Sequence, residues 1–225
     1  MKKYKSQLSK KEIDRRRRWQ DLIYQDLKKI NKPREYQVLG KKIVTLPGIF
    51  APIFTDSLIL AKAVRNEVKK GDRVLDLGTG SGIDSIFAAT KADKIVATDI
   101  NEKALECARI NFKRHKVDGK LIKSDLFKNI RDKFDLIIFN PPFRWFKPRD
   151  VLEAGELDYN YRTLRKFFSE ADKYLLRKGR LLMVFSESGD LKYFKSLIET
   201  YNYHSEIIIE TKTKYWRYQV YKIWK

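Results

Sequence analysis

Residues 73–82 read RVLDLGTGSG, an apolar run of strand length that ends in glycines at 78, 80 and 82. A chain can do little with such a run except bury it as a strand, turn tightly on backbone that tolerates positive φ, and leave in a helix, here IDSIFAA. The same alternation continues downstream. Strands are expected at Arg73–Leu77, Lys94–Asp99, Lys120–Lys123, Phe134–Phe139 and Arg180–Phe185, with helices at Ile83–Lys91, Asn101–Lys113, Tyr161–Leu176 and Leu191–Tyr201. Strands separated by helices predict an α/β fold with a mostly parallel sheet covered on both faces. The closing strands, Glu206–Glu210 and Tyr215–Ile223, have no helix between them, so one of the two should run antiparallel. Upstream, Lys41–Leu46 reads as a strand, Pro47-Gly48 as a break, and Thr55 or Asp56 as the cap of a helix reaching about Lys69.

The first 42 residues differ in character. They hold 15 Lys and Arg against 5 Asp and Glu, about half of the net charge of +20 in under a fifth of the chain. Ser9-Lys-Lys-Glu12 matches a capping box, and Ile13, Leu22, Ile23, Leu27 and Ile30 follow at roughly helical spacing behind Arg15–Arg18. Residues 1–42 therefore read as a basic helical N-terminal extension and 43–225 as the domain proper. The extension either grips the phosphates of a nucleic acid or packs Trp19 and its apolar residues on the domain with the arginines solvated. The first few residues, polar and highly charged, are candidates for disorder.

Several classes of function are disfavoured. The chain carries no long apolar run for a membrane span, and no apolar stretch follows the basic amino terminus to act as a signal peptide, so a cytoplasmic location is expected. One cysteine, Cys107, and two histidines, His115 and His204, leave no disulfide framework and no dedicated metal site; Cys107 reads as a packing residue.

Two features point to a ligand at the carboxyl ends of the strands. The spacing G-x-G-x-G departs from the dinucleotide pattern, and Asp99 closes the second strand where a ribose diol would lie, which together suit a nucleoside with a small charged tail. The second feature is NPPF at 140–143, where the strand FDLIIF stops. Consecutive prolines fix φ, lack amide hydrogens and hold Asn140 rigidly, leaving carbonyl oxygens free to accept. A Pro-Pro turn that merely ends a strand is the plainer alternative.

In this order, VLDLGTGSG, VATDI, KSDLF and IIFNPPF closely resemble the class I S-adenosylmethionine-dependent methyltransferases, in particular the small-domain branch with an NPPF motif. That branch includes ribosomal-RNA amino methyltransferases and HemK-type glutamine methyltransferases. The resemblance implies a Rossmann-like seven-stranded sheet with the last strand antiparallel, S-adenosyl-L-methionine as cofactor, and methyl transfer to a planar amino or amide nitrogen. It assigns Asp76 and the loop Gly78, Thr79, Gly80, Gly82 to the methionine portion and Asp99 to the ribose. Ile100, Asp125 and Leu126 fall to the adenine and, more loosely, Thr55 and Asp56 of FAPIFTDS to a segment covering the cofactor. Asn140 and Pro141 would hold the acceptor nitrogen, with Pro142 keeping the turn rigid and Phe143 stacking on the planar group. Beyond the motif, Arg144, Trp145, Lys147 and Arg149 interleave cations with aromatics as single-stranded nucleic-acid sites do, unless the aromatics fold back onto the core. RNA, ribosomal or transfer, is the expected partner of a monomeric enzyme. A protein glutamine, a small molecule, or RNA binding without catalysis are the alternatives.

Overall fold

The computed structural model describes residues 4–52 and 54–225. Its first elements are helix α1 (Lys10–Lys28), strands β1 (Arg34–Val38) and β2 (Lys41–Thr45), and helix α2 (Thr55–Glu67). The alternating stretch follows as β3 (Arg73–Leu77), α3 (Ile83–Ala88), β4 (Lys94–Asp99), α4 (Glu102–His115), β5 (Gly119–Lys123) and β6 (Phe134–Phe139). A short helix α5 (Val151–Ala154), helix α6 (Arg162–Glu170), β7 (Leu175–Ser186), α7 (Leu191–Thr200), β8 (His204–Lys212) and β9 (Arg217–Trp224) complete the chain.

Seven strands form one sheet in the order β5-β4-β3-β6-β7-β9-β8. The five from β5 to β7 are parallel, and β9 runs antiparallel between β7 and β8, as the missing helix between the last two strands required. β3 and β6 lie side by side at its centre with nearly every residue buried, which is why their sequences are mostly apolar rather than alternating. The connection leaves β3 towards β4 on one side, and β6 takes the other. The loops after β3 and β6 therefore diverge at a switch point and open a crevice at the carboxyl ends of the strands.

Three expectations change, besides the helix expected at Tyr161–Leu176, which ends at Glu170 ahead of a strand that begins at Leu175. The boundary at residue 42 falls inside a two-stranded hairpin, β1–β2, closed by Leu39-Gly40 with φ of 46° and 86°. Two consecutive left-handed residues match the right-handed twist of paired strands, so REYQV-LG-KKIVT had a hairpin signal that apolar content alone hid. The cap of α2 is Phe54, without a side-chain hydrogen bond, rather than Thr55 or Asp56. The third change concerns α1. Its capping box at Ser9 and Glu12 is present, but the buried face carries Arg16, Gln20, Tyr24 and Leu27, and Leu22 is 57% exposed.

The helix docks through a polar seam because the surface beneath it offers carbonyls and carboxylates. Arg16 donates to the Glu187 and Gly189 carbonyls, and Arg15 donates to the Tyr215 carbonyl while covering the Trp216 ring. Arg17, though exposed, lies over the Phe146 ring, so three of the four arginines contact the fold, and Arg18 is exposed. The expected disorder concerns, for residues 1–3, a stretch outside the described residues; Tyr4 is buried, its hydroxyl donating to Asp190. Cys107 is buried against Ile49 and Ala104, as expected of a packing residue. Among the described residues no helix is long and apolar enough to cross a membrane, and no cluster of potential metal ligands occurs.

Candidate functional site

A cavity of about 300 Å³ opens at the carboxyl ends of β3, β4 and β6. The loop after β3 forms one wall. Gly78 and Gly80 have φ of 68° and 54°, and a Cβ at Gly80 would meet nothing within 4 Å, so this backbone faces open space. Gly82 also has positive φ, but a Cβ there would come within 3.0 Å of Phe112 and 3.3 Å of Ala108. It serves the close approach of α4 and lies off the wall.

Asp76, expected at the ligand, is also off the wall. Its Oδ2 accepts from the Thr79 hydroxyl at 2.7 Å, the Ser85 hydroxyl at 2.7 Å and the Ser85 amide at 3.2 Å, so the carboxylate ties the glycine loop together from beneath. Asn111 supports the same loop from α4: its Nδ2 donates to the Ser81 carbonyl at 2.9 Å and its Oδ1 accepts from Val44 at 2.9 Å, linking loop and hairpin. Thr79 and Ser81 do line the cavity.

Asp99 reaches the cavity where the sequence placed it. Its carboxylate accepts from Gly80 N–H at 3.1 Å and Asn101 N–H at 2.9 Å; burial raises its pKa, and those two donors oppose the rise. Ile100, 67% exposed, and Leu126 flank the mouth beside Asp125, which pairs with Lys166 at 2.9 Å. An exposed isoleucine next to a carboxylate edge suits a flat apolar group with polar nitrogens at its rim.

The opposite wall is the loop after β6. Asn140, Pro141, Pro142 and Phe143 all line the cavity. Asn140 Nδ2 donates to Asp56 Oδ2 at 3.2 Å, which fixes the amide so that Oδ1 is left as an acceptor. Asp56, at the start of α2, is buried, which raises its pKa against the hydrogen bond from Asn140. The neighbouring Thr55 lies off the wall. Phe143 packs edge-on against Phe185, and its carbonyl accepts from the Tyr161 hydroxyl at 2.8 Å. Ile49, Phe50 and Pro52 close the cavity from the segment expected to cover it, with Phe50 stacked on Phe54.

The residues after the motif do not form an exposed strip. Arg144 is 3% exposed: it pairs with Glu156 at 2.7 Å and donates to Gln20 Oε1 at 2.8 Å and Ser188 Oγ at 3.2 Å. Trp145 is buried against Tyr4, Phe146 and Tyr161, so the aromatics fold back onto the core. Arg149 pairs with Glu153 and Asp21, and only Lys147 is exposed without such a partner. Desolvation pushes Glu156 up to about 7 despite Arg144 beside it. Glu156 and Asp84, which both line the cavity, were not singled out from sequence. Asp84 carried a signal, an acid inside an apolar helix start; Glu156 carried none.

A nucleoside with a cationic tail fits this lining. It needs an acceptor for a diol, an apolar slot beside a carboxylate, and buried negative charge; the cavity has Asp99, then Ile100 and Leu126 beside Asp125, then Asp84, whose Oδ1 has no hydrogen-bond partner.

A family model described as a methyltransferase small domain matches residues 40–222. The ribosomal RNA small subunit methyltransferase C of Actinobacillus pleuropneumoniae serotype 5b is 31% identical over 186 residues, covering 80% of this chain and 53% of that protein. A Methanocaldococcus jannaschii protein provisionally named a protein N5-glutamine methyltransferase is 30% identical over 197 residues, covering 84% of this chain and 98% of its own length. The chain spans about half the length of the ribosomal RNA methyltransferases it matches. Among solved structures, the T. thermophilus 16S rRNA N2 G1207 methyltransferase in complex with AdoMet and guanosine shares the fold, with a TM-score of 0.63 at 19% identity over 85% of this chain and 49% of that one. The chain belongs to the methyltransferase small-domain family of S-adenosylmethionine-dependent enzymes.

Proposed function

We propose that this chain methylates an exocyclic amino nitrogen of an RNA base, with S-adenosyl-L-methionine held in the cavity between the β3 and β6 loops. Asp99 would take the ribose hydroxyls, Gly78–Ser81 the backbone contacts, and Ile100, Asp125 and Leu126 the adenine. The cofactor supplies an electrophilic methyl on a sulfonium. The chain's own part lies at Asn140. An aromatic amine is a poor nucleophile because its lone pair is delocalised; two acceptors for its two N–H groups orient it and favour pyramidalisation. The observation that carries this reading is the Asn140–Asp56 hydrogen bond, which takes up an Asn140 N–H and leaves Oδ1 as an acceptor on the cavity wall, where the Pro141 carbonyl would be the second acceptor. Pro142 keeps that carbonyl in place, and Phe143 offers its ring to the planar group. Catalysis of this kind is orientation and electrostatics, and it needs no titrating histidine.

RNA as the substrate draws support from charge. Leu27 of α1 lines the cavity mouth, and the exposed Lys28, Lys29 and Lys32 follow it, so the basic extension ends beside the opening. A glutamine side chain presents the same planar NH₂, and the match to nearly the whole length of the M. jannaschii protein favours that second reading.

Label transfer from S-adenosylmethionine into total RNA and total protein, prepared from a strain lacking this chain, separates the two. The expected result is label in RNA; label in protein moves the assignment to glutamine, and label in neither leaves a small molecule. Asn140→Ala should lower the single-turnover rate by roughly 10²–10³ with cofactor affinity nearly unchanged. An unchanged rate would remove Asn140 from the reaction.

A further inference from the structure

The chain carries a net charge of +20, yet among the described residues the cavity is lined by Asp56, Asp84, Asp99, Asp125 and Glu156 and by no lysine, arginine or histidine. Four of the five carboxylates have partners. Asp56 accepts from Asn140, Asp99 from Gly80 and Asn101, Asp125 pairs with Lys166, and Glu156 pairs with Arg144. Asp84 has none: it is 7% exposed, on the first turn of α3, and its Oδ1 meets no donor.

The elements around it make matters worse for a carboxylate. β3 contributes Asp76 and α2 contributes Asp56, both negative, so burial and these two neighbours push the Asp84 carboxyl well above the ordinary range. An unpaired buried acid beside two others favours its protonated form, and its ionised form is unfavourable unless a cation joins it. Asp76, the carboxylate that family resemblance would assign to the methionine portion, already accepts three hydrogen bonds from Thr79 and Ser85 and does not reach the cavity.

We propose that Asp84, in place of Asp76, is the carboxylate that pairs with the ammonium group of the cofactor's amino-acid tail. The proposal rests on the reading of the cavity as an S-adenosylmethionine site. It places the tail against α3, two residues past the last glycine of the loop, and leaves the sulfonium to the β6 side, where Asn140 holds the acceptor.

Calorimetric titration of the full chain with three ligands tests it. S-adenosylmethionine has both ammonium and sulfonium, S-adenosylhomocysteine has the ammonium alone, and 5′-methylthioadenosine has neither. Asp84→Asn should weaken the first two alike, by roughly 10–100-fold, and leave the third unchanged. A loss confined to S-adenosylmethionine would assign Asp84 to the sulfonium and overturn the proposal, as would unaltered binding of the homocysteine or an equal loss for all three. Should Asp84→Asn fail to fold, the wild type decides. Pairing with an ammonium requires the ionised carboxylate, so at any pH where the free site holds Asp84 protonated S-adenosylhomocysteine should release a proton, seen as a heat that depends on the buffer, and methylthioadenosine should not. Equal proton release by both ligands would overturn it. Wild type that binds none of the three would instead remove the cofactor reading on which the proposal stands.

Discussion

The two walls of the cavity are built by opposite means. The β3 side is local: Asp76, Thr79, Gly80 and Ser85 lie within ten residues of one another, and the loop is shaped by bonds among them. Asp99 adds one contact from the adjacent strand and Asn111 one from α4. The β6 side is assembled from afar. Arg144 is held by Gln20, Glu156 and Ser188, Phe143 by Tyr161, and Asn140 by Asp56, and only Glu156 and Tyr161 come from the segment that follows the motif. A wall made of backbone near a glycine turn tolerates change elsewhere in the chain. A wall made of buried side-chain bonds depends on every element that contributes one.

The contrast can be broken at either wall. On the β3 wall, Asp99→Ala removes the diol acceptor and frees the Gly80 and Asn101 amides; cofactor affinity should fall about 10–100-fold, while transfer from the saturated enzyme stays within a few-fold. Titration and single-turnover rates, measured together, check the split. A rate loss as large as the affinity loss would mean the walls are not independent.

Gln20→Leu is the counterpart on the other wall. It leaves the Arg144 Nε–H buried without an acceptor. Stability should drop by ~1–3 kcal/mol and the methyl-transfer rate by roughly tenfold, with cofactor affinity unchanged. Weaker cofactor binding in this variant would show that α1 supports the glycine loop too.

The smallest effect is in pH. Glu156 has a folded pKa of about 7 against an ordinary value of 4.5, so the folded state binds the extra proton between them. Stability contributed by this group is full below 4.5 and is lost as pH rises through 7. Chemical denaturation of wild type and Glu156→Gln across that window should show the wild type losing stability relative to the variant as pH rises. Parallel pH curves would place Glu156 as an ordinary ionised partner of Arg144.

The same contrast sets what could be read from sequence. Strands β3, β4 and β6 have the bounds that their apolar runs predicted, and Gly78, Gly80 and Asp99 sit at the cavity, because each signal is short and local. Gly82 and Asp76 obey the motif but serve the loop's own packing, a distinction that spacing does not encode. On the other wall, NPPF was legible while its supports were not. Arg144 and Trp145 looked like an exposed nucleic-acid strip because cations and aromatics alternate there; nothing within ten residues shows that Gln20 and Tyr4 cover them. For α1, the apolar spacing pointed to Leu22, but the partner surface was polar, so Arg16, Gln20 and Tyr24 were buried instead.

The polar seam under α1 also orders assembly in time. Its bonds to Arg144, Gly189 and Tyr215 span 124, 173 and 200 residues of sequence. Contacts of that separation close late, after the loops between them have been ordered. Helix α1, although it precedes the sheet in the chain, is therefore among the last elements to dock, waiting with its arginines solvated until β7 and β9 exist. Through most of synthesis the glycine loop can be complete while the NPPF wall still lacks its brace.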